Sequence, residues 1–246
     1  MSNLRSLLLK LEHWLRLPSS RSCSSIAVPS TLSHLSRSAK LSANLALEIS
    51  PTPRSLYIHN KFLAKFKGGV VGATAGTLAF MFGAPDHLVP KILPVLALMG
   101  TKERLFHTGA PGSGLGAKLA NNYLAGTITV GLCEAMNMGI KMGLDPKKLA
   151  DIFSVSTSKN WISDFSNPVP GVIPTAAASN GYKGGFRLAL AKKDIGLAVE
   201  AAKMVHSKMV IGPSILSIYE DVASHPEYRD MDITIIWQWL LAQEKN

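Results

Sequence analysis

The sequence predicts a mainly α protein in which a short α/β segment precedes an all-helical region, and three observations carry that expectation. The longest uninterrupted helical pattern runs from Leu115 to about Gly143, behind the glycine-rich lead-in Gly112-Ser-Gly-Leu-Gly116. Before it, Gly- and Ala-rich runs bracket Thr77-Leu-Ala-Phe-Met-Phe82, a short apolar stretch with the texture of a buried strand. After it, helical patterns follow one another to the end of the chain.

Residues 1–66 form a separate compositional region, rich in Ser, Leu and Arg and poor in acids. Leu7, Leu11, Trp14 and Leu15 share one helical face among Arg5, Lys10, Arg16 and Arg21, the composition of a mitochondrial presequence. The alternative is a disordered basic tail or a misassigned stretch of coding sequence. The net charge of +10 is concentrated here: ten Lys and Arg stand against two acids up to Lys67, and sixteen against fourteen beyond it. A nearly neutral body argues against nucleic acid as a partner. The two cysteines, Cys23 and Cys133, make neither a metal spacing nor a disulfide framework, and no metal site is expected.

From residue 67 to 111 the pieces read as the last strands and helix of a parallel α/β sheet. Thr77–Phe82 is the first strand. A helix follows from His87 to Gly100, capped by Asp86 and kinked or started by Pro94, and Glu103-Arg-Leu-Phe-His107 makes a second strand. His107 itself points to no role. Residues 112–246 then form the helical domain. Leu115, Leu119, Leu124, Ile128, Leu132, Met136, Ile140 and Leu144 give the long helix one core-facing stripe, and its small, uncharged other faces suit a helix wrapped by neighbours. Met136, Met138 and Met142 read as core filling. Asp145-Pro146 caps and starts a helix to about Ser154. A polar loop, Trp161 and the turn Asn167-Pro-Val-Pro-Gly171 come next. Gly184-Gly185-Phe186 precedes a helix to about Met204, Pro213 begins another ending near Ser224, and the last starts at Asp232, with Trp237 and Trp239 packing it.

Within the long helix, Lys118 and Asn122 are four residues apart and share a face. A lysine there can lose part of its solvation and act as a proton donor and acceptor, with an asparagine amide holding a substrate oxygen beside it. The plainer alternative is a surface lysine next to an ordinary polar asparagine. A membrane reading also exists, because Gly68–Ala84 carries no charge and Leu119–Ile140 is long enough to span. Asn121, Asn122, Glu134 and Asn137 within the second stretch argue against it, so no membrane is expected as a partner.

Several blocks then occur in one order and spacing: Gly68-Gly-Val-Val-Gly-Ala with Gly76-Thr-Leu, Gly-Ala-Lys118-Leu-Ala-Asn121-Asn122, Glu134-Ala-Met-Asn137, Gly143-Leu-Asp-Pro146, Asn167-Pro-Val-Pro-Gly171, Gly184-Gly-Phe186, and Lys193-Asp194-Ile-Gly-Leu-Ala198. From residue 68 to about 240 this series resembles the 3-hydroxyisobutyrate dehydrogenases of the β-hydroxyacid dehydrogenase family. The resemblance implies the end of a Rossmann-type NAD-binding domain at residues 67–111. An all-α substrate and dimerisation domain of the 6-phosphogluconate dehydrogenase carboxy-terminal type would then fill residues 112–246. It further implies NAD-dependent oxidation of 3-hydroxyisobutyrate to methylmalonate semialdehyde in valine breakdown, in the mitochondrial matrix, by a homo-oligomer joined through the helical domain. By the same resemblance Lys118 is the catalytic acid/base and Asn122 binds substrate. Gly68 and Gly69 hold the substrate carboxylate on backbone amides, and Lys193, Phe186 and Asp194 line the cofactor side. Two departures stand out. The family's Ser-Gly-Gly is here Lys67-Gly68-Gly69, and no Gly-x-Gly-x-x-Gly follows a strand before residue 68. These departures sustain a second expectation, a catalytically inactive homologue serving as an interaction or oligomerisation domain.

Overall fold

The structure, a computed structural model, describes residues 63–67 and 75–244. Its elements are β1 (Leu63–Lys67), β2 (Leu78–Gly83), α1 (Val89–Leu96), β3 (Gly100–His107), α2 (Ser113–Lys141), α3 (Pro146–Val155), α4 (Trp161–Phe165), α5 (Leu188–Met204), α6 (Gly212–Ser224) and α7 (Ile236–Gln243). The architecture is the expected one, mainly α, with a small α/β unit followed by an all-helical unit. The compact units divide between Lys118 and Leu119, inside α2. Strand β1 starts at Leu63, within the stretch assigned from composition to the amino-terminal segment.

The sheet has the order β1-β2-β3. It is mixed rather than parallel: β1 runs antiparallel to β2, with Leu63 opposite Gly83 and Lys67 opposite Ala79. β2 and β3 are parallel, with Phe80 opposite Leu105 and Phe82 opposite His107. Inward-facing Leu78, Phe80 and Phe82 bury against Ala84 and against Leu96 of α1. Asp86 makes no side-chain cap; it opens a short 3-10 turn, Asp86–Leu88, ahead of α1. Pro90 occupies the first turn of α1 and Pro94 its interior, where the missing N–H shortens what the helix can hold. His107 is a structural clasp. Its Nε2 lies 2.9 Å from the Ala84 carbonyl and 3.1 Å from that of Gly109, so this nitrogen carries the hydrogen and donates to both.

The first turn of α2 belongs to the α/β unit because Gly114 lets it lie on the backbone of β2. A Cβ at this position would collide with the Met81 carbonyl. Ser113 adds a 2.7 Å hydroxyl contact to Thr108, whose own hydroxyl donates to the Phe82 carbonyl at 3.0 Å.

In the helical unit the buried face of α2 differs from the expected stripe. Leu119, Leu132 and Met136 are buried as anticipated, but Leu124 and Leu144 are exposed, and Thr129, Val130, Cys133 and Asn137 are buried instead. Small residues set the contact. A Cβ at Gly126 would come within 2.6 Å of Ile195 Cδ1 and 3.3 Å of the Tyr219 hydroxyl, so α5 and α6 approach α2 where it has no side chain. The expected wrapping of α2 is therefore incomplete within one chain: Met138 and Met142, expected in the core, are exposed together with Leu124, and only Met136 is fully buried. Ile235, Ile236 and Trp237 join Val130, Cys133 and Met136 in one core, with Trp239 packed at its margin. Asp145 caps α3, accepting from Lys148 N at 2.9 Å, and Asn160 caps the short α4, accepting from Ser163 N at 2.8 Å. Among the described residues no helix is long and apolar enough to cross a membrane.

Candidate active site

Two helices, α2 and α5, carry most of the polar residues expected at the site. Lys118 ends the second turn of α2, half-buried, and no ion pair or hydrogen bond of its ammonium group is formed among the described residues. One turn further along the same helix comes Asn122. On α5, the apolar positions Leu188, Ala191, Ile195, Ala198 and Val199 are buried, which fixes the rotation of the helix. Asp194 is thereby left beside the core with its side chain only 13% exposed, while Lys193 reaches the surface.

These side chains form a chain of contacts. Asn122 Nδ2 donates to Asp194 Oδ2 at 2.7 Å, and the Lys193 ammonium lies 3.0 Å from Asp194 Oδ1. Asn121 Nδ2 donates to Asn122 Oδ1 at 3.1 Å. An ionised carboxylate only accepts, so Asp194 requires the NH2 of Asn122 to face it and the amide oxygen to face Asn121. The Asn122 amide is thus held in one orientation with one N–H still available. That remaining donor suits a substrate oxygen.

The structure brings Asn122, Asp194 and Lys193 together, residues up to 72 positions apart. Phe186 stands just ahead of α5, partly exposed, and its best-defined contact is through the backbone: its N–H donates to Asp232 Oδ2 at 2.8 Å. Gly68 and Gly69 lie outside the described residues. Sequence reasoning missed Asn121 as the amide that orients Asn122, and it missed Asp232. An Asn-Asn pair and an aspartate two residues before a threonine were the available signals, and neither is specific.

Two further groups of this unit, Cys133 and Tyr219, are fully buried. Cys133 is completely buried on α2, and burial first, then the negative charges of Glu134 and Asp232, push its thiol far above the ordinary value. Burial likewise raises the Tyr219 phenol, whose hydroxyl donates to the Gly126 carbonyl at 3.1 Å. Among the described residues no cluster of His, Cys, Asp and Glu is arranged to hold a metal.

Residues 112–240 match the family described as NAD-binding of NADP-dependent 3-hydroxyisobutyrate dehydrogenase. The chain belongs to this family. It is 40% identical over 174 residues to a 3-hydroxyisobutyrate dehydrogenase of Pseudomonas aeruginosa, covering 70% of this chain and 58% of that protein. It is 39% identical over 181 residues to the mitochondrial 3-hydroxyisobutyrate dehydrogenase of Rattus norvegicus, covering 74% of this chain and 53% of the relative. The chain therefore spans a little over half the length of these curated relatives. Among solved structures, the 3-hydroxyisobutyrate dehydrogenase of Mycobacterium tuberculosis with L-serine superposes with a TM-score of 0.68 at 34% identity, over 73% of this chain and 60% of that one. The matched family and these relatives are described as 3-hydroxyisobutyrate dehydrogenases, and NAD is the cofactor that this resemblance implies.

Proposed function

We propose that residues 112–246 are the substrate and dimerisation domain of an oxidoreductase that converts 3-hydroxyisobutyrate to methylmalonate semialdehyde with NAD. Lys118 is the acid/base in this reading, Asn122 and the backbone of Gly68 and Gly69 hold the substrate, and Lys193, Asp194 and Phe186 face the cofactor. The observation that carries it is the contact chain Asn122–Asp194–Lys193, one helical turn beyond Lys118 on α2. Residues that were assigned separate roles by resemblance share hydrogen bonds, as parts of one site do.

The residues fit part of a dinucleotide. Lys193 offers an ammonium group on a side chain 40% exposed, and Asp194 a carboxylate of the kind that binds hydroxyls. No Gly-x-Gly-x-x-Gly follows a strand before residue 68, and these side chains would hold the cofactor from the α5 side. Bound NAD supplies the acceptor for the hydride leaving the hydroxyl-bearing carbon. Lys118 takes the hydroxyl proton at Nζ while the C–O bond becomes the carbonyl of the semialdehyde. In the reverse direction the resulting ammonium returns that proton to the oxygen. The free N–H of Asn122 holds a substrate oxygen, and Asp194 and Asn121 keep the amide from rotating away.

The reading extends to the mitochondrial matrix and the path of valine breakdown; the Ser- and Arg-rich composition of residues 1–66 and the mitochondrial relative support the compartment. Assembly into a homo-oligomer through the helical unit is supported by the exposed Leu124 and Met138 on α2 and Met142 just after it. The test is NADH formation by the purified chain with 3-hydroxyisobutyrate and with L-serine, repeated with Lys118→Ala. Turnover with either hydroxy acid, lowered by about 10²–10⁴ in the variant, is the expected result. A variant with the rate of the parent would remove Lys118 from the mechanism.

A further inference from the structure

Asp232 is only 2% exposed, yet no cation pairs with it among the described residues. An isolated buried carboxylate is costly, and where only a helix start needs a cap, serine or threonine serves without the charge. Its two oxygens explain the choice. Oδ1 accepts from Thr234 N at 3.0 Å and Thr234 Oγ1 at 2.6 Å, capping the 3-10 turn that leads into α7. Oδ2 accepts from Phe186 N at 2.8 Å, on a different element altogether. A single hydroxyl cannot serve both places.

The surrounding backbone repeats the same connection. Leu188 N donates to the Met231 carbonyl and Ala189 N to that of Arg229, at 2.8 and 3.1 Å, while Ile233 N donates to the Phe186 carbonyl at 2.9 Å. Helix α5 has no side-chain cap of its own at Arg187. Its first N–H groups are satisfied by residues 229–231 instead, which is how its amino-terminal end is held in place. Gly185, at φ +65°, lies so close that a Cβ there would strike the Asp232 carboxylate. The Gly184-Gly185-Phe186 block is therefore shaped around this one side chain.

We infer that Asp232 is a positioning residue, which fixes the amino-terminal end of α5 and through it the placement of Asp194 and Lys193 against Asn122. The inference rests on the proposed function only for the chemistry of those three residues; the geometric claim stands apart from turnover. Asp232→Asn tests it in the full chain by NMR, with the side-chain amide of Asn122 as reporter and that of Asn137, which donates to Glu244, as internal control. The expected result is a shifted Asn122 amide, an unchanged Asn137 amide, and exchange of the Leu188 and Ala189 amides faster by about ten-fold. Thr234→Val provides the contrast, since it weakens the cap of α7 but keeps the bond to Phe186. It should lower the melting temperature without moving the Asn122 signal. If Asp232→Asn lowers the melting temperature in the same way and leaves the Asn122 amide and α5 exchange as in the parent, Asp232 is a cap and nothing more. Should Asp232→Asn not fold, Gly185→Ala applies the same displacement from the other side and is read by the same two signals. If the parent chain gives no turnover, the proposed function fails while these signals still decide the role of Asp232.

Discussion

The α/β unit and the helical unit satisfy their polar groups in contrasting ways. Around β2 the bonds that join separate elements run largely to backbone: Thr108 N donates to the Phe82 carbonyl, Ala84 N to the Gly109 carbonyl, and His107 Nε2 to two carbonyls. In the helical unit side chains add long-range anchors, Asn122 on Asp194, Asn137 on Glu244, Tyr219 on Gly126 and Asp232 on Phe186, beside the backbone bonds that tie Phe186, Leu188 and Ala189 to residues 229–233. A unit locked by backbone tolerates many side chains at its surface, whereas one locked by side chains ties its packing to its polar chemistry. Asn122 of α2 and Asp194 of α5 belong to the second kind of anchor.

The largest expected effect on stability tests the apolar side of that contrast. Ile236 is 1% exposed in the core shared by α2 and α7, and Ile236→Ala should cost about 2–5 kcal/mol in a denaturant titration. Gly114→Ala probes the backbone-locked unit, because the added methyl group meets the Met81 carbonyl; a loss of about 1–3 kcal/mol is expected by the same measurement. A neutral outcome at Gly114 would mean that the first turn of α2 is not held against β2 as described.

Alkaline pH acts on the helical unit next. Burial, opposed by the hydrogen bond from Gln238, pushes the Tyr182 phenol up to about 12. Because the folded value is raised, Tyr182 contributes stability that is complete below the ordinary tyrosine value of 10.0 and disappears as pH rises through about 12. Melting temperatures should therefore decline from about pH 10 upward, and Tyr182→Phe should flatten that decline. The smallest effect concerns Glu244, whose carboxyl is held below the usual range by Lys141 and then by Asn137, at 2.7 Å each. A lowered folded value means that its contribution is present above the ordinary carboxylate range and lost as pH falls through the folded value. Glu244→Gln should differ from the parent in melting temperature near neutrality and converge with it in acid.

Much of the helical unit is legible in the sequence because its signals are local. The Asp145-Pro146 start, the limits of α5 and the pairing of Lys118 with Asn122 on one face all follow from spacing and caps over a few residues. The buried face of α2 is not, since Gly126 determines it from what α5 and α6 place there, and a stripe of leucines carries no information about a neighbour's closest approach. β1, read from composition as part of a basic segment, holds its place by pairing with β2, and α4 is too short to show a period. The Asn122–Asp194 and Asp232–Phe186 bonds join residues far apart in the chain, which spacing cannot reveal; Asp194 is singled out as a site residue only by the resemblance, and Asp232 by nothing.

The central claim is that α2 and α5 carry a cofactor-facing hydroxyacid dehydrogenase site, and calorimetric titration of NADH into the chain and into Lys193→Ala tests it most directly. The account predicts saturable binding by the parent, weakened about ten-fold or more once the ammonium group is gone. Equal affinity in both proteins, or no binding heat from the parent, would contradict it.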